Sequence, residues 1–142
     1  MTEKAYLALG CFWGPDEHFS GLRGVVETQV GYSGGEEDNP VYEKLGGHAE
    51  TIEVEFDPKK ISFEEILEHF FAEHNPEIRE ISRYRSAIFY IGKDQRCEAE
   101  KAKAVFEKKI GRSVSTSIEP FGKFFRAEEY HQKYFEKMKG KR

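Results

Sequence analysis

The chain alternates between stretches with a two-residue apolar period and stretches with a 3.6-residue period, which separates strands from helices. Residues 4–9 form a short apolar run that predicts a buried strand ending at Gly10-Cys11. Pro15 fits the first turn of a short helix, where its missing N–H is harmless. Asp16 and Glu17 suit the positive end of that helix, and Gly21 and Gly24 close it. Residues 25–32 predict a second strand, and residues 33–47, rich in Gly and containing Pro40, predict a long loop. Residues 49–56 alternate Thr51, Glu53 and Glu55 with Ile52, Val54 and Phe56, the pattern of a half-exposed strand. Ser62 and Glu65 form a capping box. It opens a helix over 62–74 whose apolar face is Phe63, Ile66, Leu67, Phe70 and Phe71. A strand over 87–91 follows, and then a charged helix capped by Asp94 that runs to Ile110 and stops at Gly111. A strand over 114–118 and a helix over 128–138 complete the order, with a basic tail at 139–142. The expected fold is α+β, a two-layer sandwich of helices on a mixed, mainly antiparallel sheet.

Composition narrows the class. The chain has 142 residues, 38% hydrophobic and 14% aromatic, enough for one core in a single domain over 1–142. Its formal net charge is −4 with signs interspersed, so it lacks the basic excess of a nucleic-acid binder. The longest apolar stretch, residues 5–13, is well short of the roughly 20 residues of a membrane span. The first residues do not read as a secretory signal. Two cysteines, Cys11 and Cys97, make no disulfide framework. A cytoplasmic monomer is expected.

The densest candidate chemistry is Gly10-Cys11-Phe12-Trp13-Gly14. The thiol stands where a strand gives way to a helix. Backbone N–H groups and the helix dipole there favour thiolate and predict a lowered thiol pKa. Phe12 and Trp13 put an apolar wall beside the sulfur. On its own the motif reads equally well as a buried structural Cys beside two core rings.

Six motifs in order tip that balance. Gly10-Cys11-Phe12-Trp13-Gly14 resembles the signature of the A-type peptide methionine sulfoxide reductases. Gly31-Tyr32-Ser33-Gly34-Gly35, Asn39-Pro40-Val41-Tyr42 and Gly47-His48-Ala49-Glu50 resemble the motifs that follow in that family. So do Tyr84-Arg85-Ser86-Ala87-Ile88 and the segment from Ala127 to Gln132. The resemblance implies reduction of methionine S-sulfoxide, free or in proteins, by a thiol. Under it Cys11 is the nucleophile and becomes a sulfenic acid. Glu50 is the acid on the sulfoxide oxygen, which needs a raised carboxyl pKa. Tyr42 and Tyr84 donate hydrogen bonds to that oxygen, and Phe12 and Trp13 bind the methyl group.

No metal is expected, since His48 has no second ligand at metal spacing. His48 and His131 read as structural, His18, His69 and His74 as surface or helix-end residues, and Arg85 as an ion-pair partner. Glu98, Glu100, Lys101 and Lys103 form a solvated helix face.

The chain also departs from the family pattern. No Gly-rich tail with resolving cysteines follows, and Cys97 lies in a charged helix. A one-Cys enzyme is therefore expected, with no prosthetic cofactor. An external thiol such as thioredoxin, glutaredoxin or a small thiol would be its reductant partner. The stretch before Tyr84 lacks the Asp with which the family contacts the substrate backbone; Glu77 and Glu80 are the carboxylates there. A catalytically impaired sulfoxide-binding module and a thiol redox sensor stand as the alternatives.

Overall fold

The strand with the apolar run at the start of the chain becomes one of the two central strands of a six-stranded sheet. The computed structural model describes residues 1–79 and 81–140. Its elements are β1 (Glu3–Leu9), α1 (Trp13–Ser20), β2 (Val25–Ser33), β3 (Ala49–Phe56), α2 (Phe63–Ala72), β4 (Ser86–Tyr90), α3 (Gly92–Ile110), β5 (Ser117–Pro120), β6 (Phe125–Arg126) and α4 (Tyr134–Gly140). The strand order is β5-β4-β1-β3-β2-β6. Only the β4–β5 pair is parallel, so the sheet is mixed and mainly antiparallel, as the pattern predicted.

Alternation along the strands sorts the two faces. Leu7 and Leu9 of β1, Ile52, Val54 and Phe56 of β3 and Ile88 of β4 share one face. They pack against Phe19 of α1, the apolar stripe of α2 and Ala99 of α3. Tyr6, Ala8, Ala87 and Phe89 take the opposite face. Among the described residues no helix contributes to that cluster. The chain between β5 and β6 crosses it, with Phe121 stacked on Tyr6 at a centroid distance of 4.0 Å. The capping box of α2 forms as expected.

Four expectations change. β3 alternates, but it is not half exposed: Thr51 and Glu53 are buried because β3 is central and both its faces are covered. Glu53 is satisfied there by the Tyr6 hydroxyl at 2.7 Å and the Gln29 amide at 2.8 Å. α3 starts at Gly92, with Ile91 as its N-cap, so Asp94 lies in the first turn. The strand expected over 114–118 is shifted to β5, and the two-residue β6 carries too little pattern to be read. The helix expected over 128–138 is two pieces, a 3-10 turn at Glu129–His131 and α4. The break falls at Lys133, which adopts φ +51°. Of the basic tail, residues 141–142 lie outside the described residues.

The cause of that break is polar. Asp16 of α1 is fully buried and accepts from the Lys133 backbone N–H at 2.8 Å and from the Thr28 hydroxyl at 2.6 Å. The Lys133 ammonium donates to Thr28 O at 2.6 Å. Next to it, the Gln132 side chain bonds both Val30 N and Val30 O at 2.9 Å, pairing with the edge of β2 like a strand residue. Asp16 therefore does more than suit the helix dipole: it ties α1, β2 and the last segment together. No helix among the described residues is long and apolar enough to cross a membrane.

Removing one partner from a buried ion pair leaves the other uncompensated. Asp16→Ala is expected to cost about 3 kcal/mol in urea unfolding, near the lower end for such pairs because Lys133 keeps some solvent access. Arg96→Ala, which removes the exposed pair with Glu100 and a contact over the Tyr90 ring, is expected to cost less than about 1 kcal/mol.

Candidate active site

β1 ends at Leu9, and the chain turns sharply into α1. Gly10 takes φ +94°, a left-handed conformation that glycine adopts without strain, and this turn carries Cys11 out to the surface. The same turn sends Phe12 inward. Phe12 is buried against Val30, Tyr32, Leu45 and Ala127. Trp13, half buried, stacks on Tyr134 with ring centroids 3.7 Å apart and planes within 5°.

Glu50 stands on β3 opposite Tyr32 of β2, with the same parity as Ile52 and Val54. Its side chain therefore belongs to the packed face of the sheet, and only 1% of the residue is exposed. One carboxyl oxygen accepts the Phe12 N–H at 3.2 Å. The other, Oε2, is buried with no hydrogen-bond partner. Burial pushes the carboxyl pKa up, against smaller downward pulls from the Phe12 N–H and the Arg83 cation.

Burial also pushes the Cys11 thiol up. The Trp13 N–H draws it down, as a helix N-terminus should, but burial outweighs that, and the Glu50 charge adds to the rise. The lowered thiol pKa expected from the helix end is thus corrected: the amide is in place, and desolvation wins. Two neighbouring amides of one turn serve the two groups, Phe12 N–H the acid and Trp13 N–H the sulfur.

Tyr42 comes from the loop between β2 and β3, and Tyr84 from the 3-10 turn Ser82–Tyr84 before β4. The Tyr84 phenol is pushed up by burial, then by the Glu50 charge and by Tyr42 beside it, so it keeps its proton and donates. The long loop is shaped from within. His48 accepts the Gly35 N–H at 3.0 Å, and a Cβ at Gly35 would collide with His48. This is the structural role expected of His48. Arg85 pairs with Glu119 at 3.5 Å, as expected.

A cavity of about 340 Å³ opens beside the thiol, lined by Leu9, Gly10, Cys11, His74, Asn75, Ile78 and Tyr84. A larger one, of about 550 Å³, lies between α2 and α3 on Phe71, Ala102, Val105 and Phe106. It holds none of the expected site residues. His74 lies at the end of α2, as expected, and is half-buried: it bonds Phe70 O and Ser86 Oγ at 2.8 Å each and forms part of the wall by Cys11. Glu77 is turned away to Arg112, and Glu80 lies outside the described residues. Among the described residues no metal-binding cluster forms.

Several residues at the site carried no clear signal in the sequence. Glu128 accepts the Tyr42 N–H at 3.0 Å and the Tyr32 hydroxyl at 2.7 Å, fixing the Tyr42 loop. His131, 1% exposed, accepts Trp13 Nε1–H at 3.0 Å on Nδ1. Its ring nitrogen roles follow: Nδ1 is the acceptor and Nε2 carries the proton. Arg83 lies over the Tyr42 ring, 4.8 Å from its centroid. All three sit in or beside matched motifs, but only their partners reveal what they hold.

Cys97 is exposed on α3. Its neighbour Gln95 bonds Lys4 O, at the far end of β1 from Cys11. Five steps of extended strand separate Lys4 from Leu9, about 17 Å at about 3.3 Å per residue, before the turn to Cys11. A disulfide needs Cα atoms within about 7 Å. Cys97 is not placed to resolve Cys11.

A family model described as "Peptide methionine sulfoxide reductase" matches residues 3–142. The peptide methionine sulfoxide reductase MsrA of Methanosarcina acetivorans is 42% identical over 147 aligned positions, covering 95% of this chain and 78% of that protein. The alignment is longer than the chain, so the relative carries residues that this one lacks. The solved methionine sulfoxide reductase A of Corynebacterium diphtheriae superposes with a TM-score of 0.90 at 31% identity, covering 96% of this chain and 74% of that one. Mxr1 from Saccharomyces cerevisiae, in complex with Trx2, superposes with a TM-score of 0.72 at 28% identity, covering 94% and 84%.

Two outcomes check the electrostatics. Alkylation of Cys11 should rise with pH about a midpoint above the ordinary thiol range. Glu50→Gln, which removes a negative charge near the sulfur, should move that midpoint down; an unmoved midpoint would uncouple the two groups. Burial pushes His131 below its ordinary value, so it is neutral at pH 7 and holds Trp13. Acidification to below the ordinary imidazole range puts a proton on Nδ1, which then no longer accepts the indole N–H. The emission of Trp13, the sole tryptophan, should then change in acid, and the change should be absent in His131→Phe.

Proposed function

This chain belongs to the peptide methionine sulfoxide reductase family, and we propose that Cys11, Glu50, Tyr42 and Tyr84 carry its reaction. The enzyme is an oxidoreductase that reduces methionine S-sulfoxide to methionine at the expense of thiol. The observation that supports the assignment best is the buried Glu50 carboxyl, with Oε2 free of protein partners, beside a solvent-reachable thiol.

The sulfoxide oxygen takes the place next to Oε2, where a protonated Glu50 donates to it. Tyr84 and Tyr42 add hydrogen bonds to the same oxygen. Protonation makes the sulfoxide sulfur electrophilic, and the Cys11 thiolate attacks it. The S–O bond breaks, oxygen passes to Cys11 as a sulfenic acid, and methionine leaves reduced by two electrons. The raised carboxyl pKa keeps Glu50 protonated, while the raised thiol pKa means that Cys11 must lose its proton before it attacks; a neutral Glu50 eases that loss by removing the negative charge that opposes the thiolate. Trp13, held by His131 and Tyr134, and Phe12 beneath it supply the apolar surface for the methyl group.

Return to the starting state needs two thiols. The first condenses with the sulfenic acid to a mixed disulfide and water, and the second displaces Cys11. Cys97 is too distant to be the first, so both come from outside, from a dithiol protein of the thioredoxin or glutaredoxin kind or from small thiols. The yeast structural relative in complex with Trx2 supports the protein reductant. No prosthetic group enters any step. The substrate is free methionine sulfoxide or an oxidised residue in a protein.

Glu50→Gln keeps the shape and removes the proton donor. With dithiothreitol and a stereopure S-sulfoxide, kcat is expected to fall by about 10²–10⁴ with a much smaller change in KM. Unchanged kcat would remove Glu50 from the mechanism. After one turnover without reductant, mass spectrometry should find one added oxygen on Cys11; a Cys11–Cys97 disulfide would contradict the external resolution.

A further inference from the structure

Arg83 immediately precedes Tyr84 in the turn that brings that phenol to the site. Its guanidinium donates through Nη2 to Tyr42 O at 2.8 Å. Its carbon lies 4.8 Å from the centroid of the Tyr42 ring and 6.0 Å from that of Tyr84. The cation is half buried; it pulls down on the Glu50 carboxyl by its charge and on the Tyr84 phenol by a hydrogen bond, though burial keeps both pKa values raised. It therefore stands among the groups assigned to the sulfoxide oxygen.

Arg83 is one of three described arginines, with Arg23 and Arg79, that show no ion pair among the described residues, and of the three it alone contacts site residues. Arg85, Arg96, Arg112 and Arg126 each pair with a glutamate. Among the described residues no carboxylate lies within 4 Å of Arg83. A guanidinium has five N–H donors in a planar fork that matches a carboxylate. The Tyr42 carbonyl and the Tyr84 hydroxyl engage only part of that fork. In methionine sulfoxide the α-carboxyl carbon is four bonds from sulfur, about 5 Å away when extended. That span is comparable to the separation of the guanidinium from the two tyrosine rings.

We propose that Arg83 is a specificity-determining residue that makes the site prefer methionine sulfoxide bearing its own α-carboxylate, as the free amino acid or a chain-terminal residue, over the same side chain within a neutral peptide. This rests on the assignment of Cys11, Glu50, Tyr42 and Tyr84 to the sulfoxide. Binding of the carboxylate neutralises Arg83 and frees Glu50 from the field that pulls its proton away. A carboxylate-bearing substrate thereby strengthens the acid that reduces it, and the preference extends to kcat as well as KM.

The test compares the stereopure S-sulfoxides of N-acetylmethionine and N-acetylmethionine methylamide, which differ in the carboxylate alone, with dithiothreitol as reductant. The wild-type enzyme is expected to favour the acid by about tenfold in kcat/KM, the value of one charge-assisted contact. In Arg83→Gln the ratio should fall to near one, while Arg83→Lys, which keeps the charge and loses the fork, should retain part of it. A wild-type ratio near one, or a ratio unchanged in Arg83→Gln, overturns the role of Arg83 and leaves the site assignment standing. Absence of Cys11-dependent reduction of either compound overturns both. Free methionine S-sulfoxide, run alongside, separates the amino acid from the chain terminus: its ammonium group is present only there.

Discussion

A carboxyl buried in the packed face of a sheet is the constraint on which the rest of this structure depends. Glu50 occupies a position whose parity belongs to Ile52, Val54 and Phe56. An unsatisfied buried polar atom costs about 1–3 kcal/mol, so the fold would be better off with an apolar residue there. What the protein obtains is an acid that holds its proton and one oxygen kept clear of protein partners. Holding it requires the β1–α1 turn to deliver the Phe12 amide to Glu50. That same turn, one residue on, aims the Trp13 amide at sulfur. The acid and the nucleophile are thus set by one piece of backbone.

The last part of the chain fixes that turn from outside. Asp16 anchors α1 to Thr28 and Lys133, Gln132 takes up the edge of β2, His131 holds the Trp13 indole, and Glu128 holds the Tyr42 loop. Apart from Asp16–Thr28, these are polar contacts between residues about a hundred positions apart. Each does what packing alone would do poorly, since a hydrogen bond specifies one orientation of a ring or amide.

The sequence made the class of fold and the position of the thiol legible, because both are local. A two-residue period, a capping box and a Gly-flanked Cys are read within a few residues. β3 shows where that reading stops. Its alternation of Glu and Thr with Ile, Val and Phe is real, but whether the polar side meets water depends on Tyr6, Phe121 and Phe124 from other parts of the chain. The helix read over 128–138 fails for a related reason: its apolar spacing is helical, and the competing bonds of Gln132 and Lys133 to β2 and α1 interrupt it. Partial desolvation of the sulfur, which stays solvent-reachable, likewise outweighs the local amide that would lower its pKa. The family motifs marked residues 42, 50 and 84 without telling how they meet, and the roles of Glu128, His131 and Arg83 emerge only from their neighbours in space.

The tie between His131 and Trp13 also has a bearing on biosynthesis. Trp13 leaves the ribosome 118 residues before His131, so the contact that clamps the β1–α1 turn forms only after most of the sheet has been synthesised.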